Sequence, residues 1–535
     1  MVKNSCSLLL AGIFSLSAAT AGNPYLPLWE YIPDGEPYLF EDPDNPGKMR
    51  VYVYGSHDSL ISEYCGREQV VWSASPDDLN NWRYDGIIFE SKKDANGNWL
   101  YDNRQGDVLY APDVVEAVEN GKKVYYLFPN NQANGRKSMV AKSDRPDGPF
   151  EVCNWSADDP LKTEGVLDFD PAVFIDDDGR VYGYWGFERS FGAELDPNTM
   201  ATVKPGTEIV VDMVSSRRQK GDFRFFEASS LRKIKDKYVF VYSRWTHEGE
   251  FGLPGSNYTL AYAWSDSPLG PFTYGGTLID GRARGTDEKG NIVPTATMGG
   301  NTHGGILEIG GQWYVFYHRQ CGTDEFSRQA MVAPIEVKVT EGKGGKVEIS
   351  EAEYTSEGFE INGLNPLNTY SAGIACYYTG PEPIKQEYPN YFFSGSYVKP
   401  LRPDVRGREN DNPYGLDINS NIVVNNTSGS VVGYKYFNFD GTHGSKGLHL
   451  FLELIPEGVD GTIDIMVDSP WKSKGGKKVG SVKLSKDMKQ EALTVLADVS
   501  DLTKFKGKHA IYLVFSSKTS GKSLCELRTL FFKKG

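Results

Sequence analysis

Short runs that alternate apolar and polar residues recur along the chain from Gly35 to about Ser350. Each run spans about four to eight residues and ends at glycine, proline, aspartate or asparagine, which is typical of β-strands joined by turns. The strands group into units that repeat at a loose spacing of roughly 60 residues, an internal repeat of the kind that builds propellers and solenoids. Each unit begins with an apolar strand, adds an outer pair, and finishes with a polar strand and a turn.

Five such units follow one another, and two of their closing turns are near copies. These turns read DGPF at residues 147–150 and LGPF at residues 269–272, and SPDDLNNW takes the same place in the first unit. Five units of four strands predict a five-bladed β-propeller. An all-β sandwich beside an irregular region is the alternative, but it does not explain why hairpin and turn recur together.

The pattern divides the chain into four segments and predicts an all-β fold. Residues 1–21 are a predicted signal peptide, and residues 22–350 are the predicted propeller. Residues 351–388 are rich in Gly, Glu, Asn and Pro and are expected to form a linker and the last propeller edge. Residues 389–535 alternate again, as in LHLFLELI and GTIDIMVDS, and predict a β-sandwich.

The N-terminal segment has the three parts of an export signal. Lys3 supplies a positive charge, residues 8–16 form an apolar core, and small residues precede a cleavage point after Ala21. The apolar core is too short to span a membrane. We therefore expect a secreted or periplasmic protein, whose five remaining cysteines are odd in number and widely spaced and form neither a disulfide framework nor a zinc motif.

Composition and charge narrow the choice of ligand. Among the 535 residues are 31 Tyr, 27 Phe, 10 Trp and 58 Gly, which suits many short strands and turns. The formal net charge of -14 disfavours nucleic acid and anionic membranes as partners, because a phosphate-binding face would have to overcome that field. We expect a neutral ligand and a monomer.

Three acidic residues stand at or near the start of predicted strands in different units. They are Glu36 in DGEPYLF, Asp170 in DFDPAVF and Glu227 in FRFFEASSL. If these strand starts converge on one axis, three carboxylates share a pocket, and paired carboxylates are the machinery of glycoside hydrolysis. Phe225 and Phe226 precede Glu227, so desolvation could raise its pKa and keep it protonated, as a general acid requires.

The repeated units resemble glycoside hydrolase family 43. The resemblance rests on DGEPYLF, YAPDV, FDPAVFIDDDG, FFEASSL, and NTHGG with FSRQ, in that order. It implies a five-bladed propeller that hydrolyses glycosides with inversion at the anomeric carbon. It also implies that Glu227 is the general acid and that Asp170 holds this acid in place and modulates its pKa.

The sequence leaves two candidates for the general base. The family places Asp before a strand-opening proline, and Glu36 stands in that slot here, followed by Pro37. Glutamate has the same chemistry with one more methylene, so Glu36 is the predicted base. Asp34, two positions earlier, would point to the same side of an extended chain and is the substitute. A propeller that binds sugar without hydrolysing it is the third possibility.

The resemblance also suggests substrate-binding residues. Arg328 matches an arginine that reaches the substrate from the fifth blade, and Tyr110 could stack on a sugar face in a place where the family has tryptophan. His303 lies where the family keeps a histidine at the bottom of the central channel, facing water or a calcium ion. The prediction is therefore a possible structural Ca²⁺ at His303 and no required cofactor; a core histidine without a metal is the alternative.

The tail contains VVGYKYFNF, GTIDIMVDSPWKSKGGKKVGSVKL and GKHAIYLVFSS, and through these segments it resembles carbohydrate-binding module family 6. Tyr434 and Trp471 are the candidate stacking residues, and a sandwich that only buttresses the propeller is the alternative. Together these features predict an exported, inverting, exo-acting glycosidase. By the resemblance, it would remove arabinofuranosyl or xylosyl residues from plant cell-wall polysaccharides or oligosaccharides. A non-catalytic carbohydrate-binding propeller and a related galactosidase are the alternatives.

Overall fold

The computed structural model describes residues 22–60, 62–400 and 421–535. The predicted signal peptide lies outside these described residues. Regular structure within them is almost entirely β-sheet, and helix is limited to short 3₁₀ turns, none with the length and apolar character that crossing a bilayer requires. These turns are Glu250–Gly252, Ala372–Ile374, Asp440–Thr442, Lys472–Lys474 and Ser500–Lys504.

Four four-stranded antiparallel sheets follow one another along the chain and form blades one to four. Blade one contains β1 (Glu36–Glu41), β2 (Met49–Tyr54), β3 (Glu68–Ser75) and β4 (Asp78–Glu90). Blade two contains β5 (Asp113–Glu119), β6 (Lys122–Phe128), β7 (Ala141–Ser143) and β8 (Glu151–Val152). Blade three contains β9 (Ala172–Ile175), β10 (Val181–Trp185), β11 (Phe191–Leu195) and β12 (Val210–Val211). Blade four contains β13 (Phe225–Ile234), β14 (Lys237–Arg244), β15 (Thr259–Ser265) and β16 (Thr273–Asp280).

The fifth blade closes the ring with help from the N-terminal segment. After a small hairpin of β17 (Arg284–Thr286) and β18 (Ile292–Pro294), its sheet has three strands, β19 (Ile306–Ile309), β20 (Gln312–Gln320) and β21 (Arg328–Ile335). The Asn23 side chain exchanges two hydrogen bonds with the backbone of Val332, and the Tyr25 N–H donates to the Ala330 carbonyl at 3.3 Å. The N-terminal segment thus lies along β21, where the sequence pattern predicted a fourth strand.

The first strands of the blades form the wall of the central channel. β1 contacts both β5 and β19, and β9 contacts both β5 and β13. Asp113 joins three blades, because its carboxylate accepts a hydrogen bond from the Tyr38 hydroxyl at 2.5 Å and another from the Val173 N–H at 2.7 Å. The middle strands are covered on both faces by neighbouring blades, so all eight residues of β14 are buried. The predicted five-bladed propeller is confirmed.

The C-terminal part is a sandwich of two sheets. One sheet has the order β28 (Tyr397–Pro400), β29 (Asn421–Val424), β36 (Cys525–Lys534), β31 (Leu448–Pro456) and β34 (Leu493–Asp498), and β24 (Tyr370–Ser371) also pairs with β36. The other has the order β25 (Tyr377–Thr379), β30 (Val431–Asn438), β35 (Lys508–Ser516), β32 (Gly461–Val467) and β33 (Lys477–Leu484). Strict alternation of buried and half-buried residues along β31 follows its sequence, LHLFLELIP.

Two further hairpins complete the strands, β22 (Val337–Val339) with β23 (Val347–Ile349), and β26 (Lys385–Glu387) with β27 (Asn390–Phe392). Because β24 and β25 already pair inside the sandwich, this domain begins earlier than the predicted residue 389. Tyr434, a candidate sugar platform, is fully buried and donates its hydroxyl to the Ala372 carbonyl at 3.1 Å, so it cannot stack on a glycan.

Candidate active site

A cavity of about 600 Å³ opens at one end of the propeller channel, a usual size for a small-ligand site. It is lined by residues from all five blades and by two residues of the β26–β27 hairpin. Six of the seven predicted site residues line it: Asp34, Tyr110, Asp170, Glu227, His303 and Arg328. The channel geometry explains this convergence, since these side chains come from residues at or just before the ends of strands that meet at the hub.

Asp34 reaches the cavity from the loop that precedes β1. Its carboxylate accepts hydrogen bonds from Ser56 Oγ at 2.6 Å and from Arg328 Nη1 at 3.1 and 3.2 Å, and His318 Nδ1 lies 3.3 Å from Oδ1. Burial opposes ionisation of Asp34, but Arg328 and His318 together hold its pKa well below the usual range. Asp34 is therefore held in its ionised form, which can accept a proton.

Glu36 does not line this cavity. It is buried at the start of β1, where its Oε1 accepts hydrogen bonds from Ser230 Oγ at 2.7 Å and from Arg232 Nη2 at 2.5 Å. In an extended backbone, side chains two positions apart point to the same face, and the prediction that Asp34 and Glu36 point the same way assumed such a backbone. Asp34 instead has a φ of 61°, in the left-handed region, so the two side chains need not point to the same face.

Glu227 enters the cavity from a distorted part of β13. The register of β13 against β14 shifts on both sides of Glu227, and Ala228 has a φ of 70°. This irregularity lets Phe226 and Glu227 both face the cavity, whereas neighbours in a regular strand point to opposite faces. Burial raises the pKa of Glu227 well above its usual range, and the negative charges of Asp170 and Asp34 raise it further. Glu227 therefore keeps its proton when Asp34 is ionised.

Asp170 is tied to the segment that carries Glu227. Its Oδ2 accepts a hydrogen bond from the Ala228 N–H at 3.0 Å, and its Oδ1 accepts one from Asn130 Nδ2 at 2.7 Å. Burial raises the pKa of Asp170 to about 6, against the opposing charge of His303. With a φ of 49°, Asp170 is a second acidic residue of the cavity in the left-handed region, where non-glycine backbone is strained and often functional.

His303 faces the cavity but its surroundings do not fit calcium. Its Nδ1 lies 3.6 Å from Asp170 Oδ2, and within the described ranges no group of three or more His, Cys, Asp or Glu side chains could hold a metal. Calcium needs six to eight oxygen ligands, and a lone imidazole beside one carboxylate does not supply them. The predicted metal role of His303 is not supported, and a hydrogen-bonding role beside Asp170 remains.

Arg328 is held by two carboxylates rather than left free for substrate. Its guanidinium contacts Asp34 and also binds Asp58, with Nη2 2.8 Å from Oδ1, and it lies over the Tyr64 ring at 4.8 Å. Glu325 accepts hydrogen bonds from the Tyr64 hydroxyl and from Gln386 Nε2. Arg328 therefore fixes the position of the Asp34 carboxylate and stabilises its charge.

Aromatic side chains form a continuous wall on the other side of the cavity, which we call the aromatic ridge. Its members are Tyr110, Phe169, Phe187, Phe226 and Trp245. Neighbouring rings lie 5.1 to 6.5 Å apart between centroids, and Phe187 is 53% exposed. Such faces suit the apolar side of a sugar ring, and the Trp245 indole N–H has no hydrogen-bond partner among the residues that the structure describes.

The β26–β27 hairpin supplies part of the cavity rim. Gln386 and Tyr388, on the β26–β27 hairpin, line the cavity. The hairpin is anchored by Tyr391, whose hydroxyl donates to the Gly299 carbonyl at 2.8 Å, and by the Glu325 N–H, which donates to the Pro389 carbonyl at 3.1 Å. The predicted linker therefore contains residues of the candidate site.

Several residues of the site escaped prediction from sequence. His318, Asn130, Asn301 and Gln386 contact the acids or their partners from blades two and five and from the hairpin. Asn301 begins the NTHGG motif, of which only His303 has a chemical meaning by itself, and the other three stand in no such motif. Four aromatic residues lie close to the motifs in sequence, and of these Trp245 and Phe187 line the cavity while Trp185 and Phe326 do not.

A propeller whose hub gathers the carboxyl groups of Asp34, Asp170 and Glu227 beside an aromatic wall has the architecture of a glycosidase, and the comparisons agree. The family described as Glycosyl hydrolases family 43 matches residues 48–340. This chain belongs to that family, and it is a glycosidase that hydrolyses O-glycosyl bonds. The alternative of a carbohydrate-binding propeller without activity is therefore wrong.

Two curated relatives match most of the chain. A xylosidase/arabinosidase of Thermoclostridium stercorarium is 33% identical over 442 residues, which cover 79% of this chain and 84% of the relative. An arabinoxylan arabinofuranohydrolase of Paenibacillus polymyxa is 26% identical over 514 residues, covering 93% and 71%. A solved family 43 arabinoxylan arabinofuranohydrolase of Bacillus subtilis, in complex with cellotetraose, aligns at 22% identity with a TM-score of 0.44 over 96% of this chain and 97% of that chain.

Proposed function

We propose that this protein is an exported, inverting, exo-acting glycosidase that removes arabinofuranosyl or xylosyl residues from plant cell-wall polysaccharides or their oligosaccharides. The observation that carries the proposal is that Asp34 and Glu227 bring their carboxyl groups to one cavity, where Arg328 lowers the pKa of Asp34 against the effect of burial, and burial raises the pKa of Glu227. Such a pair identifies a base and an acid. The names of the two curated relatives support pentose residues as the sugar.

In the proposed mechanism Asp34, rather than Glu36, is the general base. Its carboxylate takes a proton from a water molecule as that water attacks the anomeric carbon. Glu227 donates its proton to the glycosidic oxygen as the bond to the anomeric carbon breaks. Asp170 is a positioning residue, since it holds the Ala228 backbone and keeps a negative charge near Glu227.

The first test compares substrates whose leaving groups differ in acidity. Glu227→Gln should lower kcat/KM on a pentose-bearing oligosaccharide by about 10²–10⁴-fold, the usual contribution of a general acid. The loss on a dinitrophenyl pentoside should be much smaller, because that leaving group departs without a proton. Glu151→Gln, at an exposed glutamate of β8, is the matched control and should behave as the wild type.

The second test follows the configuration of the first sugar released. Proton NMR of an arabinofuranoside or xyloside digest should show the anomer opposite to that of the substrate before mutarotation. Release of the same anomer would contradict the inverting mechanism. Silence of the wild type across nitrophenyl arabinofuranosides, xylosides and galactosides would contradict the proposed substrates.

A further inference from the structure

A second cleft lies on the far side of the aromatic ridge from the catalytic cavity. Its volume is about 590 Å³, close to that of the catalytic cavity. Phe169 and Phe187 line both spaces, so these two rings form part of the boundary between them. Gln132, Lys137, Asp168 and Trp185 also line the second cleft.

The ridge connects this cleft to the acid. Phe226 directly precedes Glu227, and its ring lies 5.1 Å from that of Phe187 between centroids. The ring of Phe187 in turn lies 5.2 Å from that of Phe169, which directly precedes Asp170. A sugar ring bound next to Glu227 therefore has an uninterrupted apolar surface leading into the second cleft.

The chemistry determines on which side the leaving group lies. Glu227 must reach the glycosidic oxygen, so the saccharide attached to that oxygen lies beside Glu227. In an inverting site the attacking water lies on the opposite face of the sugar, next to the base. The surroundings of Asp34 are occupied by Arg328 and Ser56. The leaving saccharide is thus directed over the ridge.

Polar groups of the second cleft suit sugar hydroxyls. Lys137 and Asp168 lie 3.2 Å apart at the rim, with half-exposed side chains that can donate to and accept from hydroxyl groups. The Gln132 amide donates to Asn130 Oδ1 at 2.6 Å, and Asn130 donates to Asp170 at 2.7 Å. A ligand in the cleft therefore touches a hydrogen-bond chain that ends at the catalytic cavity.

We propose that the second cleft binds the saccharide units beyond the scissile bond, so that the enzyme acts on pentose residues carried by a polymer or a long oligosaccharide. This inference rests on the proposed function, because it takes Glu227 as the acid. The units would stack on Phe187 and place their hydroxyls against Gln132, Lys137 and Asp168.

The test measures a ratio of two activities. The kcat/KM on arabinoxylan is divided by the kcat/KM on nitrophenyl α-L-arabinofuranoside, for the wild type and for Phe187→Ala, Gln132→Ala and Lys137→Ala. The ratio should fall about tenfold for Phe187→Ala, as expected for loss of one stacking face, and a few-fold for each polar variant. Phe392→Ala is the control, since Phe392 is 50% exposed and lines neither space.

Binding gives a second measurement that does not depend on turnover. In a Glu227→Gln background, calorimetry with arabinoxylo-oligosaccharides should show affinity that rises with the number of units beyond the branch, and Phe187→Ala should remove that rise. An unchanged activity ratio, or affinity independent of length, would overturn the second cleft while the glycosidase proposal stands. A wild type without activity on any pentoside would instead overturn the proposed function, and the inference with it.

Discussion

Asp34 and Glu36 lie two positions apart, and the backbone between them decides which one reaches the substrate cavity. The left-handed φ of Asp34 turns its side chain toward Arg328 and His318, while Glu36 pairs with Arg232 inside the propeller. Both residues are buried carboxylates with a cationic partner, so side-chain chemistry alone does not show which of them is the base. The backbone conformation decides which of the two faces the cavity.

Exchanging each carboxylate for its amide should distinguish these two residues. Asp34→Asn should lower kcat by about 10²–10⁴-fold, because the base is lost. Glu36→Gln should keep most of its kcat but lower the free energy of unfolding by about 3–5 kcal/mol, because Arg232 is left buried without its anionic partner. Kinetics and chemical denaturation of both variants provide the measurements. Full activity of Asp34→Asn together with an inactive, stable Glu36→Gln would return the base to Glu36.

The electrostatics of Glu227 predict a shift in the pH profile. In the proposed mechanism activity requires protonated Glu227, so it should fall as the pH rises through the pKa of Glu227. Asp170→Asn removes a negative charge that raises this pKa, so the alkaline limb should move to lower pH. The difference between variant and wild type should be largest above pH about 6, where Asp170 is ionised.

The control for this profile is Asp177→Asn, whose side chain is 86% exposed in the turn after β9. It removes the same charge at the surface and should leave both limbs in place. An alkaline limb that stays unmoved in Asp170→Asn, with only kcat reduced, would mean that Asp170 positions Glu227 without tuning its pKa.

At the scale of elements, the β26–β27 hairpin joins the second domain to the catalytic cavity. Its sequence is short and polar, so its pattern of hydrophobic and polar residues does not distinguish it from an ordinary connecting loop. Contacts of Tyr391 and Pro389 with blade five hold it over the cavity, so that Gln386 and Tyr388 become part of the rim. The hairpin thus has a proposed role at the candidate active site, where it supplies two residues of the rim.

Truncation of Tyr388 tests that role. Tyr388 is 72% exposed, so Tyr388→Ala should leave the melting temperature within about 1–2 °C of the wild type. The loss of an aromatic rim should lower kcat/KM on oligosaccharides by about three- to tenfold. Lys385→Ala, on the same hairpin but outside the cavity lining, serves for comparison. Equal kinetics of the two variants would show that the hairpin only buttresses blade five.

At the scale of the whole molecule, one apolar core runs through both domains. The same cluster contains Val241 of blade four, Tyr317 of blade five, and Leu450 and Phe515 of the sandwich. Arg319 of blade five is fully buried and donates across the boundary to the carbonyls of Gly373, at 2.7 Å, and Ala375, at 3.2 Å. An interface of this kind resembles a core rather than a contact between independent domains.

The shared core predicts a single cooperative unfolding transition in calorimetry. Arg319→Met should lower the temperature of that whole transition, because each carbonyl left unpaired costs about 1–3 kcal/mol. Lys338→Met, at a side chain that is 73% exposed, should leave it in place. Two transitions, of which Arg319→Met moves one, would contradict the shared core.

Much of the fold follows from local pattern. Alternation along strands and the recurrence of hairpin and turn predicted the propeller and the sandwich, because a strand with one buried face must alternate and a tight turn needs glycine or aspartate. The blade starts also carried Asp170 and Glu227, since the first strands of all blades meet at the channel. These features depend on residues close together along the chain, and the sequence alone determined them.

The tertiary structure decided the rest. The choice of Asp34 depends on a left-handed φ at a non-glycine residue and on partners 284 and 294 positions away along the chain, His318 and Arg328. The hairpin at the rim and the two spaces that share Phe169 and Phe187 depend likewise on contacts between distant segments. Strained backbone and long-range contacts are set by the packing of the whole molecule, so no local pattern of hydrophobic and polar residues encodes them.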